Sequence, residues 1–146
     1  MADTKSLKGT KTEKNLANAF VAETTAYARY TYFAQSAEKE SYFQYANIFN
    51  ETAANELRHA KIFLKYLTNG PVVTDPVSVD PGILSPTVEN LKVASAEEEK
   101  EGVEQYTESA KVADEEGFAD IAKVFRAIAA IENHHKERFD LMRERI

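Results

Sequence analysis

Core-type positions recur at alternating steps of four and three through three long stretches of the chain. Leu16, Phe20, Glu23, Tyr27, Tyr30, Ala34 and Ala37 keep this spacing. So do Tyr45, Phe49, Thr52, Glu56, His59, Phe63 and Tyr66, and again Ile121, Phe125, Ile128, Glu132, His135, Phe139 and Met142. Such spacing lines one face of an α-helix. A further helix is expected over about 87–114, poorer in apolar residues. All four prolines (Pro71, Pro76, Pro81, Pro86) and two glycines, Gly70 and Gly82, fall between these helices. They predict a linker over about 69–85, joining helical hairpins over about 12–68 and 87–144, with turns near Glu40 and Gly117.

The two halves resemble each other. Thr12, Asn15, Leu16 and Glu23 recur 75 places on as Thr87, Asn90, Leu91 and Glu98. Phe49, Ala53, Ala54, Glu56, His59 and Phe63 recur 76 places on as Phe125, Ala129, Ala130, Glu132, His135 and Phe139. The one-place change in offset is expected near the turns, which tolerate an extra residue. Two similar hairpins about a pseudo-twofold axis make one all-α four-helix bundle over 1–146. The linker reaches about 55 Å when extended, and a bundle helix is about 40 Å long. It therefore spans the bundle as a crossover, or reaches a second chain and lets hairpins exchange in a homodimer.

The core stripes carry residues that a plain core would reject. Glu56/His59 and Glu132/His135 are Glu-x-x-His pairs, and positions i and i+3 share a helix face. Glu98/Glu101 repeats the spacing, and Glu23 adds one carboxylate from the first helix. Five carboxylates in an apolar bundle cannot all stay ionised without compensating charge. Two divalent cations would supply it. Oxygen-rich ligation with imidazole and no thiolate suits iron or manganese, with zinc an alternative. A Glu from each of two helices and a Glu-x-x-His from each of the others is the known pattern of ferritin-like di-metal bundles. This chain adds one carboxylate, Glu101. His134 points away from His135 and is expected at the surface, as are Glu97, Glu99 and Glu104. Tyr27, Tyr30 and Tyr106 read as core aromatics, or as hydroxyls that hold a carboxylate or bound oxygen species.

Composition narrows the function. The net charge of −6 opposes sequence-independent binding to nucleic acid or anionic membranes. No apolar run is long enough to span a membrane, and the N-terminus shows no secretory h-region. The absence of cysteine removes disulfides, thiolate metal sites and cysteine nucleophiles. A cytoplasmic protein is expected.

The run Ser6-Leu-Lys-Gly-Thr-Lys-Thr-Glu-Lys-Asn-Leu16 followed by Phe20-Val-Ala-Glu23 resembles the opening of rubrerythrins. Glu51-Thr-Ala-Ala-Asn-Glu56-Leu-Arg-His59-Ala-Lys61 is similar to their second-helix motif, and Phe125 through Glu132-Asn-His-His135 to Phe139 to their fourth. The resemblance implies a ferritin-like di-iron domain that reduces hydrogen peroxide to water. The implied iron ligands are Glu23, Glu56, His59, Glu98, Glu101, Glu132 and His135. One iron would exchange His59 for Glu101 on changing redox state, with Glu56 or Glu101 as proton shuttle and Tyr30 and Tyr106 beside the cluster. Many rubrerythrins carry a cysteine-ligated rubredoxin domain, and this sequence has no cysteine. The electrons are therefore expected from a separate donor such as a rubredoxin. Iron oxidation by dioxygen with storage, as in ferritin, is the alternative.

Overall fold

A computed structural model describes residues 5–81, 84 and 86–146. Gly82 and Ser85 of the expected linker, with Ile83 and the first four residues, lie outside the described residues. The chain folds as an all-α four-helix bundle, and the described residues contain no strand. Helix α1 is Lys11–Lys39 and α2 is Phe43–Leu64. The third rod has three parts: α3 (Thr87–Glu97), a π-helical segment (Glu98–Gln105) and α4 (Tyr106–Glu115). The backbone stays helical across both joints, at Glu98 (φ −61°, ψ −42°) and Tyr106 (φ −71°, ψ −32°). Helix α5, Ala119–Arg145, completes the bundle. No described helix is long and apolar enough to cross a membrane.

Local chemistry sets the ends. Thr10 caps α1 by accepting from the Glu13 N–H at 3.0 Å, and Glu13 reaches back to the Gly9 N–H at 3.0 Å. The α1–α2 turn passes through Ser41 at φ 68°, and the turn before α5 through Gly117 at φ 89°. Left-handed backbone suits glycine and strains serine.

The hairpins also cap each other. Glu116, at the end of the third rod, accepts from the Thr12 N–H at 2.7 Å and the Thr12 hydroxyl at 2.6 Å. Glu40, at the end of α1, accepts from the Thr87 N–H and hydroxyl, both at 2.8 Å. Each glutamate thus satisfies orphan donors at the start of the other hairpin and complements its helix dipole. Glu40→Ala and Glu116→Ala are each expected to cost about 1–2 kcal/mol, read as a lower urea midpoint at unchanged slope.

Two apolar layers fill the bundle. One holds Leu16, Phe63, Tyr106, Ile121 and Phe125; the other holds Tyr30, Phe33, Phe49, Phe139 and Met142. The pseudo-twofold exchanges them, since Phe49 matches Phe125 and Phe63 matches Phe139. Tyr27, a stripe position by spacing, is 38% exposed. The extra residue of the second half is not at a turn. The offset is 75 at Glu23/Glu98 and already 76 at Tyr30/Tyr106. The insertion therefore lies between Glu98 and Tyr106, where the π-helical turns absorb it. A wider turn takes up one residue while the helix continues on both sides.

Candidate metal centre

Four rods bring six acidic and imidazole side chains to one depth, between the two apolar layers. Glu23 comes from α1, Glu56 and His59 from α2, Glu98 from the π segment, and Glu132 and His135 from α5. None is more than 6% exposed. Their ligand atoms form two overlapping groups, Glu23–Glu56–His59–Glu132 and Glu56–Glu98–Glu132–His135, with all atoms of a group within 4.8 Å of one another. Glu56 and Glu132 belong to both. A single chain supplies every member, from both hairpins.

The geometry follows the pseudo-twofold. His59 Nδ1 lies 2.8 Å from Glu132 Oε1 and 3.7 Å from Glu23 Oε2. His135 Nδ1 lies 2.9 Å from Glu56 Oε1 and 3.5 Å from Glu98 Oε1. The Tyr30 hydroxyl donates to Glu98 Oε1 at 2.7 Å, and the Tyr106 hydroxyl donates to Glu23 Oε1 at 2.8 Å. Each tyrosine orients the lone carboxylate of the opposite hairpin.

The cluster fits a cation better than it fits itself. Glu23 Oε2, Glu56 Oε1 and His135 Nδ1 are buried without a hydrogen-bond partner. His135 Nδ1 and Glu56 Oε1 are close, but not aligned as donor and acceptor. Orphaned acceptors at this depth cost about 1–3 kcal/mol each, and a divalent cation would satisfy several at once. Protons are the other remedy. Burial, then repulsion from Glu98, Glu23 and Glu132, pushes the Glu56 carboxyl well above its ordinary range. Burial and Glu132 do the same to Glu98. Burial alone would lower His59, but its bond to Glu132 and the nearby Glu23 carboxylate outweigh that and raise it to about 9. Burial would likewise raise Glu132, but its close contacts with Glu98, His135 and His59 hold it low instead. Glu132 is thus the central anion and His59 its counter-charge.

Glu101 stands apart from the other expected ligands. It lies in neither group of converging atoms. It is partly exposed and lines a cavity of about 10 Å³ beside the cluster, together with Glu97, Gly102 and Tyr106. The wide π turns separate it from the face that Glu98 occupies. Burial and the neighbouring Glu97 raise its carboxyl to about 8, against the opposing pull of Arg29 and Lys100.

Other residues take places that spacing did not assign them. Glu97, expected at the surface, has a side chain only 11% exposed, 4.0 Å from the buried Arg29 guanidinium. Glu104 and His134 are exposed, as expected, while Glu99 is half-buried. Gly102 packs directly against Glu132. A glycine inside a long helix was the available signal for it.

The fold and the cluster define a class: a ferritin-like bundle with an iron-binding carboxylate–histidine centre. A family model described as rubrerythrin matches residues 14–143, and the chain belongs to the rubrerythrin family. It is 47% identical over 135 residues to a rubrerythrin of Porphyromonas gingivalis, covering 92% of this chain and 67% of that protein. It is 43% identical over 136 residues to a rubrerythrin of Nitratidesulfovibrio vulgaris, covering 92% and 70%. Among solved structures, fully reduced, all-ferrous nigerythrin superposes with a TM-score of 0.81 at 31% identity, over 99% of this chain and 71% of that one. A Rhodobacter capsulatus bacterioferritin shares the fold, with a TM-score of 0.78 at 21% identity over 92% of this chain and 84% of that one.

Proposed function

We propose that this protein is a non-haem di-iron peroxidase, reducing hydrogen peroxide to water with electrons from a separate donor protein such as a rubredoxin. We propose further that it works as a homodimer. The observation that carries the reading is the duplicated cluster of buried carboxylates and imidazoles with orphaned ligand atoms. Membership of the rubrerythrin family supports it.

One iron ion would be held by Glu23, Glu56, His59 and Glu132, the other by Glu56, Glu98, Glu132 and His135. Glu101 would be the seventh ligand, exchanging with His59. Iron held there would supply the two electrons and the Lewis acidity for reducing peroxide. The side chains manage the protons. The reaction consumes two protons and two electrons per peroxide and yields two waters. When it is not itself a ligand, Glu101, whose carboxyl is raised by burial and by Glu97, would pass a proton to a departing oxygen. Tyr30 and Tyr106 hold their own protons tightly, raised by burial and by the carboxylates they face. Their role is to orient Glu98 and Glu23. The phenylalanine layers above and below keep bulk water away.

Reduced, iron-loaded protein is expected to be oxidised by one equivalent of hydrogen peroxide faster than by air-saturated buffer, followed by stopped-flow absorbance. Equal or slower oxidation by peroxide would instead support dioxygen-driven iron oxidation and storage.

A further inference from the structure

The two hairpins meet along two seams, α1 against the third rod and α2 against α5. Between α1 and the third rod lies a cavity of about 580 Å³, roofed by linker residues 75–78. Ala22, Glu101 and Tyr106 line both this chamber and the small cavity beside the cluster. The chamber therefore adjoins the cavity beside the cluster, with these side chains shared between them.

The bundle axis is closed at both ends. Phe33, Phe49 and Phe139 block the bundle axis on one side, and Phe63, Phe125 and Ile121 on the other, none more than 5% exposed. An ion crossing either layer would lose its hydration without replacement. The seam offers polar groups throughout. Its outer part holds Lys11, Lys14 and Lys100 against Asp75 and Glu108. Its inner cavity is lined by Glu101, Glu97 and Glu23, with no basic side chain. Such a gradient from mixed to acidic draws a cation inward. Asp75 fastens the roof. The Asp75 carboxylate lies 2.6 Å from Lys14 Nζ and accepts from Asn18 Nδ2 at 2.9 Å, and the Asp75 N–H donates to Asn18 Oδ1 at 2.9 Å.

We propose that this seam is the route by which a divalent cation reaches the cluster, with Ala22 setting its bore, Glu101 receiving the ion at the inner end and Asp75 tethering the roof. The proposal rests on the reading that the cluster holds metal, and needs no assumption about the reaction it performs.

Uptake kinetics separate the route from the site. The chelator-stripped full chain is mixed rapidly with Co²⁺ alone, and loading is followed by visible absorption. Equilibrium titration gives the final stoichiometry. Ala22→Leu extends a side chain into the chamber and is expected to slow loading about tenfold at unchanged stoichiometry. Asp75→Ala frees the roof and is expected to load about threefold faster. Ala127→Leu, at an exposed position on α5, serves as control and should load at the wild-type rate. Wild-type rates in both Ala22→Leu and Asp75→Ala overturn the route. If Ala22→Leu fails to fold, Asp75→Ala decides alone, its side chain being 57% exposed at the outer rim; loading no faster than wild type overturns the proposal. A wild-type protein that binds no Co²⁺ at equilibrium overturns the metal reading itself.

Discussion

Restoring divalent metal to the chelator-stripped protein is expected to raise its melting temperature by roughly 15–30 °C near pH 8, and by far less at pH 5. Two sites, each saturated at a thousand times its dissociation constant, stabilise the fold by about 8 kcal/mol. A domain of this size shifts by about 2–4 °C per kcal/mol. The pH dependence follows from the cluster. In the stripped protein Glu56 and Glu98 are raised, so the folded state holds protons that the unfolded chain releases above its ordinary carboxyl range. Their contribution is present at low pH and is lost as pH rises. His59, raised from 6.5 to about 9, acts in the same direction. Its stabilisation, on the order of 3 kcal/mol, is complete below the unfolded value and lost as pH climbs through 9. Glu132 opposes them only in acid, since a lowered carboxyl loses its contribution as pH falls below the unfolded value. Stripped protein should therefore be most stable near pH 5–6 and weaken steadily toward pH 9. Metal reverses the slope, because ligation needs the deprotonated side chains and releases their protons. Scanning calorimetry at pH 5, 7 and 9, with chelator and with Co²⁺, checks both slopes. A stripped melting temperature that rises between pH 6 and 9 would contradict the protonation pattern of the cluster.

Much of this centre was legible in the chain itself. The four-three stripes located the helices because core contact demands that spacing, whatever the residue. Acidic and imidazole groups on those stripes could only mean a satisfied polar core, and six of them converge. The offset between halves is equally informative once the tyrosines are paired. Matching Tyr30 with Tyr106 places the insertion inside the third rod, and those tyrosines bond to equivalent carboxylates. A run such as Glu97–Glu98–Glu99–Lys100–Glu101 was less tractable. Local spacing assumes ordinary α-helical turns, and π turns rotate each later residue away from its assigned face. Glu98 enters the cluster at the start of this segment, and Glu101, three residues into it, stops at the cluster's mouth. Glu97, which precedes the π turns, packs inward against Arg29. Long-range pairs of that kind leave no local signature. The π segment also breaks the symmetry of the site. Glu101 has no acidic counterpart in the first half, where positions 25 and 26 are Thr25 and Ala26.

The same segment makes Gly102 a sensitive position beside the cluster. A glycine inside a helix costs about 1 kcal/mol relative to alanine, so Gly102→Ala would ordinarily stabilise. Here the added Cβ would stand 2.5 Å from Glu132 Cβ and 2.7 Å from its Cγ. Those atoms sit at the base of the side chain, so no rotamer change removes the clash and a rod must shift. Overpacking of this kind costs about 1–3 kcal/mol, which outweighs the gain in propensity. The larger consequence is positional. Glu132 belongs to both groups of converging atoms and bonds to His59 at 2.8 Å. Displacing it misaligns both halves of the site together. Gly102→Ala is expected to lower stability by about 1–2 kcal/mol in urea and to weaken Co²⁺ binding about 100-fold. Gly9→Ala supplies the contrast. Nothing lies within 4 Å of its would-be Cβ, and its φ of +76° makes backbone strain the whole cost. That variant should lose about 1 kcal/mol of stability and bind metal as wild type does. If Gly102→Ala proves more stable than wild type and binds Co²⁺ equally well, close packing of the π segment on Glu132 is not what shapes the centre.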